Sequence, residues 1–132
     1  MANELLISIV DDDRFVRESL RRLVRSLGYS SAVFASAIDF LASPRLRETA
    51  CLIADVHMPA MTGVELYQRL IEEGHAIPTI LITAYPDDEV RARVLKDGVV
   101  CYLPKPFGND DLIRCVRSAL ERNKPTEEKS LI

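Results

Sequence analysis

Four groups of reactive side chains in this sequence occupy the same kind of place: each follows directly on a short apolar run. Asp11-Asp12-Asp13 follows Leu5-Leu6-Ile7-Ser8-Ile9-Val10, and Asp55 follows Cys51-Leu52-Ile53-Ala54. Thr83 ends Pro78-Thr79-Ile80-Leu81-Ile82, and Lys105 comes just after Val99-Val100-Cys101-Tyr102-Leu103 and Pro104. Taken singly, such residues are ordinary helix caps, strand ends and surface lysines. Brought to one place they would be chemically demanding. Two carboxylates about 6 Å apart repel by about 3 kcal/mol at an effective dielectric near 20, more than one lysine fully offsets. Either one carboxyl is protonated or a divalent cation shares the site. Hard oxygen ligands without a histidine or cysteine cluster favour Mg2+, with Mn2+ as the alternative. A carboxylate beside such a cation, a hydroxyl donor and a lysine is equipped to attack phosphorus. The positive groups neutralise the transferring phosphoryl oxygens and the hydroxyl donates to one of them.

The elements that would bring these groups together are legible in the pattern. Apolar runs of this length suit strands covered on both faces, as in a parallel sheet. Between them lie helical patterns. The first carries Val16, Leu20, Leu23, Val24 and Leu27, with Asp13 as cap and Gly28 as stop. Its other face holds Arg14, Arg17, Arg21 and Arg25, with Arg14 and Glu18 spaced to pair. It reads as a solvated face or a docking surface for a protein, and only remotely as a nucleic-acid patch. Ser31–Phe34 is a weaker strand, followed by a short helix from Ser36 or Ala37 to Leu41, a stop at Pro44 and a loop over 45–49. Thr62-Gly63-Val64-Glu65 fits a capping box for a helix with Val64, Leu66, Leu70 and Ile71, closing near Gly74. Asp87 or Asp88 starts a fourth helix that Asp97-Gly98 ends, and Asn109 caps a fifth with Leu112, Ile113, Val116, Ala119 and Leu120 inward. Five strand–helix pairs in strict alternation imply parallel strands with right-handed crossovers, too few for an eightfold barrel. An open, doubly wound α/β sheet is expected. Its strand ends share one edge, where such sheets place their ligands.

Composition narrows the function classes. The chain has 132 residues, 48% of them hydrophobic, which is one ordinary globular domain. No apolar run approaches the ~20 residues of a membrane span, and no signal peptide opens the chain, so a cytoplasmic location is expected. A net charge of −3 argues against direct nucleic-acid binding. Cys51, Cys101 and Cys115 match neither a zinc pattern nor a disulfide framework and are expected as buried reduced thiols.

At these residues the chain resembles the response-regulator receiver domains of bacterial two-component signalling, over about residues 4 to 122. The resemblance is carried by Val10-Asp11-Asp12, the run Asp55-Val56-His57-Met58-Pro59-Ala60-Met61-Thr62-Gly63, Thr83-Ala84 and Lys105-Pro106-Phe107. The phrasing around Asp55 and Val64-Glu65-Leu66 is similar to the FixJ-like subgroup. The resemblance implies a flavodoxin-like five-stranded parallel sheet of strand order 2-1-3-4-5. It implies that Asp55 accepts a phosphoryl group from the phosphohistidine of a sensor histidine kinase. Asp11, Asp12, Asp55 and the backbone carbonyl of His57 would hold Mg2+, with Thr83 and Lys105 binding the phosphoryl group. It further implies a cis Lys105-Pro106 bond and Tyr102 as a switch aromatic that turns inward when Thr83 moves. That movement would alter the face made by the fourth helix, fifth strand and fifth helix, a face that could also form a homodimer. His57 and Tyr85, each two residues beyond a reactive position, would flank the path of hydrolytic water and tune phosphate lifetime.

On this reading residues 1–123 form the receiver and 124–132 a polar tail or the start of a linker. The output is transcription regulation through a DNA-binding domain outside this chain, or else protein contact by a stand-alone receiver or phosphorelay intermediate. The module is a signalling switch with slow self-phosphorylation and dephosphorylation rather than a conventional enzyme. An aspartate-nucleophile phosphatase would carry a carboxylate at position 57 and a lid. A flavin-binding domain would need a hydroxyl- or glycine-rich loop where Asp11-Asp12-Asp13 stands. A degenerate receiver would lack some of the reactive groups present here.

Overall fold

The computed structural model describes residues 4–122, so the tail expected over 124–132 lies outside the described residues. Five parallel strands, β1 (Leu6–Val10), β2 (Ser30–Phe34), β3 (Thr49–Asp55), β4 (Thr79–Thr83) and β5 (Cys101–Pro104), form one sheet of order β2-β1-β3-β4-β5. The helices α1 (Arg14–Ser26), α2 (Ala37–Ala42), α3 (Gly63–Glu72), α4 (Asp88–Asp97) and α5 (Asn109–Arg122) alternate with them. This is the flavodoxin-like α/β fold. Every residue of β1, β3 and β4 is buried, which is why these strands read as unbroken apolar runs rather than alternating ones.

Each side of the sheet has its own core. Ile7, Ile9, Ile53, Ile80 and Ile82 pack with Leu20 and Val24 of α1 and Leu112, Val116 and Ala119 of α5. Val10, Leu52, Ala54 and Leu81 pack with Phe40 of α2, Leu66 and Leu70 of α3, and Val94 of α4. The helix starts follow local capping chemistry. Asp13, Ser36 and Asp87 each accept a backbone N–H of the first turn, and Thr62 with Glu65 forms both bonds of the capping box. Among the described residues no helix is long and apolar enough to cross a membrane.

Five expectations change. The stretch before β3 is a 3-10 segment, Pro44–Glu48, and the strand begins at Thr49, whose hydroxyl bonds Ser8 Oγ at 2.7 Å and donates to the Arg45 carbonyl. Strand β5 starts two residues late because Gly98, at φ +116°, ends α4 and leaves the Val99 N–H bonded to the Val94 carbonyl. Asn109 is the first residue of α5 rather than its cap, and Leu112 N–H bonds the Gly108 carbonyl. Glu18 pairs with Arg21 at 2.7 Å instead of Arg14, one helical turn the other way. Lastly, Cys101 and Cys115 are joined by a disulfide, and only Cys51 is a buried free thiol. The two cysteines are far apart in the chain, but α5, packed chiefly over β3 and β4, carries Cys115 to the start of β5 with the Cα atoms 6.1 Å apart, within bridging range. At Cys51, burial pushes the thiol up to about 12.

Candidate functional site

Strand register brings the reactive residues together. Val10 pairs with Ala54, so the residue that leaves β1, Asp11, emerges beside Asp55 at the end of β3. Asp55 pairs with Ile82, and Thr83 with Pro104, which puts Thr83 and Lys105 on the same edge from the other side. The Lys105 N–H donates to the Thr83 carbonyl at 2.7 Å, and the Lys105-Pro106 peptide is cis.

Asp11 is fully buried and Asp55 is 5% exposed, whereas Asp12 faces solvent. One carboxylate oxygen from each of the three lies within 4.8 Å of the others. The Lys105 ammonium sits between two of them, 3.2 Å from Asp11 Oδ2 and 3.2 Å from Asp55 Oδ1. Asp11 is further tied by the Asp13 N–H on its Oδ1 at 2.8 Å, and its carbonyl accepts from Arg17 Nη1 at 2.8 Å.

The charges do not balance. Burial pushes the Asp55 carboxyl above its ordinary range and Asp11 pushes it further, with Lys105 pulling the other way. For Asp11, burial again raises the value, opposed by the Asp13 N–H and by Lys105. Burial alone would lower Lys105, but the two carboxylates outweigh it and the net shift is upward. Were all three carboxylates ionised, the one ammonium would leave two negative charges uncompensated, the charge a divalent cation cancels. An all-oxygen donor set suits Mg2+ or Mn2+. Opposite ligand oxygens of a Mg2+ octahedron stand about 4.2 Å apart, so oxygens within 4.8 Å need only small side-chain rotations to serve. The residues present fit a divalent cation.

On the far side of Asp55 the groups are differently held. Thr83 is fully buried, and its Oγ1 accepts the Tyr85 N–H at 3.0 Å. Tyr102 is buried in the α2–α3–α4 core, and its hydroxyl accepts the N–H of Asp87, the cap of α4, at 3.1 Å. His57 and Tyr85 stand exposed at the rim with their rings edge to face, centroids 5.3 Å apart.

The supporting roles of three residues were not read from the sequence. Arg17, counted on a solvated arginine face, holds the backbone of Asp11, and only its place one turn into α1 hinted at this. Gly63 lies under Asp55: a Cβ there would collide with the Asp55 carbonyl oxygen and stand 3.2 Å from Leu81 Cδ2. Its N–H donates to the Val56 carbonyl at 3.0 Å, which docks the start of α3 on the end of β3. Ala60 has φ +69° inside a tight turn closed by Met61 N–H on the Pro59 carbonyl at 2.7 Å, and no residue type signalled it.

Known proteins agree with this architecture. The family profile "Response regulator receiver domain" matches residues 7–117. Response regulator protein TmoT of Ectopseudomonas mendocina is 40% identical over 118 residues, covering 89% of this chain and 54% of TmoT. Transcriptional regulatory protein TdiR of Thauera aromatica is 35% identical over 127 residues, 96% of this chain and 56% of TdiR. The chain thus spans about half the length of the curated relatives it matches. Among solved structures, FixJ-N superposes with a TM-score of 0.80 at 34% identity, covering 90% of this chain and 95% of that one. With its five-stranded fold, its acidic triad and a family match across most of its length, the chain belongs to the response-regulator receiver domains, signalling proteins rather than conventional enzymes, and is similar to the FixJ-like regulators.

Proposed function

We propose that this domain is a phosphorylation-dependent switch in which Asp55 accepts a phosphoryl group from the phosphohistidine of a sensor histidine kinase. The observation that carries the reading is the Lys105 ammonium held between Asp11 and Asp55 beside a third carboxylate. Asp11, Asp12, Asp55 and the His57 backbone carbonyl would hold Mg2+, which when bound supplies positive charge to the transferring phosphoryl oxygens. Asp55 is the nucleophile because it is the carboxylate at the centre of the edge, flanked by β1 on one side and β4 on the other. Lys105 follows the new charge by leaving Asp55 Oδ1 for a phosphoryl oxygen while keeping Asp11. Thr83 exchanges its bond to the Tyr85 N–H for one in which its hydroxyl donates to the phosphoryl group.

That exchange couples the site to the α4–β5–α5 face. The Tyr102 hydroxyl on the Asp87 N–H links β5 to the start of α4, so a shift of Thr83 and Tyr85 is felt where α4 begins. Phosphorylation need only favour one of two packings by a few kcal/mol to change what that face binds. The face serves an output, either a homodimer or a neighbouring domain. Relatives named as response and transcriptional regulators, of which this chain matches 54% and 56%, support an output in transcription regulation, which we assign to a DNA-binding domain beyond the receiver of residues 1–123. We place the switch in the cytoplasm, where its kinase donors act, and assign His57 and Tyr85 to shielding the aspartyl phosphate from water, on the strength of their paired rings.

The test is intact-protein mass spectrometry after incubation with acetyl phosphate and Mg2+. Wild type is expected to gain one phosphoryl mass and Asp55→Asn none. An unmodified wild type, or an Asp55→Asn variant modified equally, overturns the reading.

A further inference from the structure

We propose that Cys101 and Cys115 form a reversible thiol–disulfide modification site whose oxidation clamps α5 onto β5 and restrains the α4–β5–α5 face. Its regulatory consequence rests on the phosphorylation-switch reading above.

The position of the bond is what gives it leverage. Strand β5 is the edge of the sheet, four residues long and hydrogen-bonded to β4 alone. Its first residue, Cys101, is joined to Cys115 on the core face of α5, fourteen residues on. Its second, Tyr102, holds the cap of α4 through the Asp87 N–H. Two consecutive residues therefore tie one short strand to both neighbouring helices, one tie covalent and the other a single hydrogen bond. With the sulfurs reduced, α5 stays seated on β3 and β4 and little else ties it to β5, so the edge strand is free to move without it. With the bond formed, β5 and the middle of α5 move together.

The chemistry is self-contained once a small disulfide is supplied, and glutathione disulfide is the class. Cys101 is partly exposed and Cys115 only 4% exposed, so Cys101 meets the oxidant first. Its thiolate attacks one sulfur of the small disulfide and expels one small thiolate, leaving a mixed disulfide. The Cys115 thiolate then attacks Cys101 Sγ and expels the second. The two cysteines lose two protons and two electrons, and the small disulfide leaves as two thiols. In a thiol-rich cytoplasm a disulfide of this kind is transient and senses redox state. Cys51, fully buried in the middle of β3, is shut away from the exchange and serves as an internal control.

The experiment equilibrates the full chain in glutathione buffers from fully reduced to fully oxidised, then alkylates it under denaturing conditions for mass analysis. Alkylatable thiols are expected to fall from three to one in a single step, with peptide mapping assigning the bond to Cys101–Cys115 and leaving Cys51 free. Hydrogen exchange of the two forms is then compared, with and without Mg2+ and beryllofluoride. Amides of β5, of α5 and of the start of α4 are expected to exchange several-fold more slowly when oxidised, and the change that beryllofluoride induces there should shrink. Cys101→Ser and Cys115→Ala should each lose the redox dependence, and Cys51→Ser should keep it. Failure of the bond to form across the buffers, or equal exchange in the two forms, overturns the proposal. Should beryllofluoride change neither form, the phosphorylation reading falls instead, and the cysteine site stands or falls on the exchange difference alone.

Discussion

The two flanks of Asp55 are built on opposite principles. Toward β1, buried Asp11 is held three times over: by Lys105, by the Asp13 N–H and through its carbonyl by Arg17, while Gly63 beneath Asp55 lets α3 press directly against the end of β3. Toward α4, two side-chain hydroxyls each rest on one replaceable bond: Thr83 on the Tyr85 N–H, and Tyr102 on the Asp87 N–H. The first flank must hold like charges that repel one another, so its geometry has to be over-determined. Under the proposed switch the second would have to rearrange, and a hydrogen bond with a net worth of about 1 kcal/mol is weak enough to be exchanged for one to a new phosphoryl group. Rigidity sits where the charge is, and exchangeability on the side the proposed switch would use.

The sharpest way to break this contrast is Gly63→Ala. The added methyl meets a backbone carbonyl, which cannot rotate away as a side chain would, so a loss of about 3 kcal/mol is expected in urea unfolding. The same change at Gly28, where a Cβ would meet nothing but φ is +93°, should cost only the smaller left-handed penalty of about 1 kcal/mol. Equal losses at the two glycines would remove the claim that close docking of α3 on β3 holds Asp55 rigidly in place.

Next in size is Lys105→Met, expected to cost about 2 kcal/mol at neutral pH, less than for a fully buried pair because the lysine is partly exposed. The sign of its pH dependence follows from the carboxylates. Asp11 and Asp55 bind protons more tightly folded than unfolded, so the fold is favoured when they are protonated. Stability therefore falls as pH rises from the ordinary carboxylate value of 3.8 through their raised folded values. Lys105 acts in the other direction of charge: its folded value is raised, so its contribution is present below 10.5 and is lost as pH climbs through that higher value. Without the lysine, the fall above pH 3.8 should steepen, and millimolar Mg2+ should flatten it in both proteins. Urea midpoints from acid to neutral pH measure this, and parallel curves for variant and wild type would refute it.

The smallest effect is expected on the exchangeable flank. Tyr102→Phe removes only the bond to the Asp87 N–H, a loss of about 1 kcal/mol. Its signature lies elsewhere: hydrogen exchange in the first turn of α4 should quicken while that around Asp11 and Asp55 stays unchanged. Quickening at both flanks would show them to be one unit.

The helix caps at Asp13, Ser36, Thr62 and Asp87 were legible because capping is written within three or four residues of chain. The buried strands were legible because continuous apolar runs have few other uses in a chain of this kind. The acidic residues, Thr83 and Lys105 were found because parallel strands deliver their carboxyl ends to one edge. Other features left no local trace. Glu18 had three arginines within reach, Arg14, Arg21 and Arg22, and the pattern favoured the wrong one, since exposed pairs differ by tenths of a kcal/mol. Val99, expected to open the fifth strand, was lost to the cap of α4, a competition for one N–H that hydrophobicity does not register.

The order of elements, the parallel sheet and the set of residues at its reactive edge were determined by sequence alone, because periodicity, capping and strand polarity are short-range properties. Only the tertiary structure decided which distant atoms meet: Lys105 between Asp11 and Asp55, Arg17 on the Asp11 carbonyl, Gly63 beneath Asp55, Cys101 against Cys115. Those contacts depend on register and helix rotation to within an ångström or two. Such precision comes from the packing of two cores against one sheet, and no stretch of the chain carries it by itself.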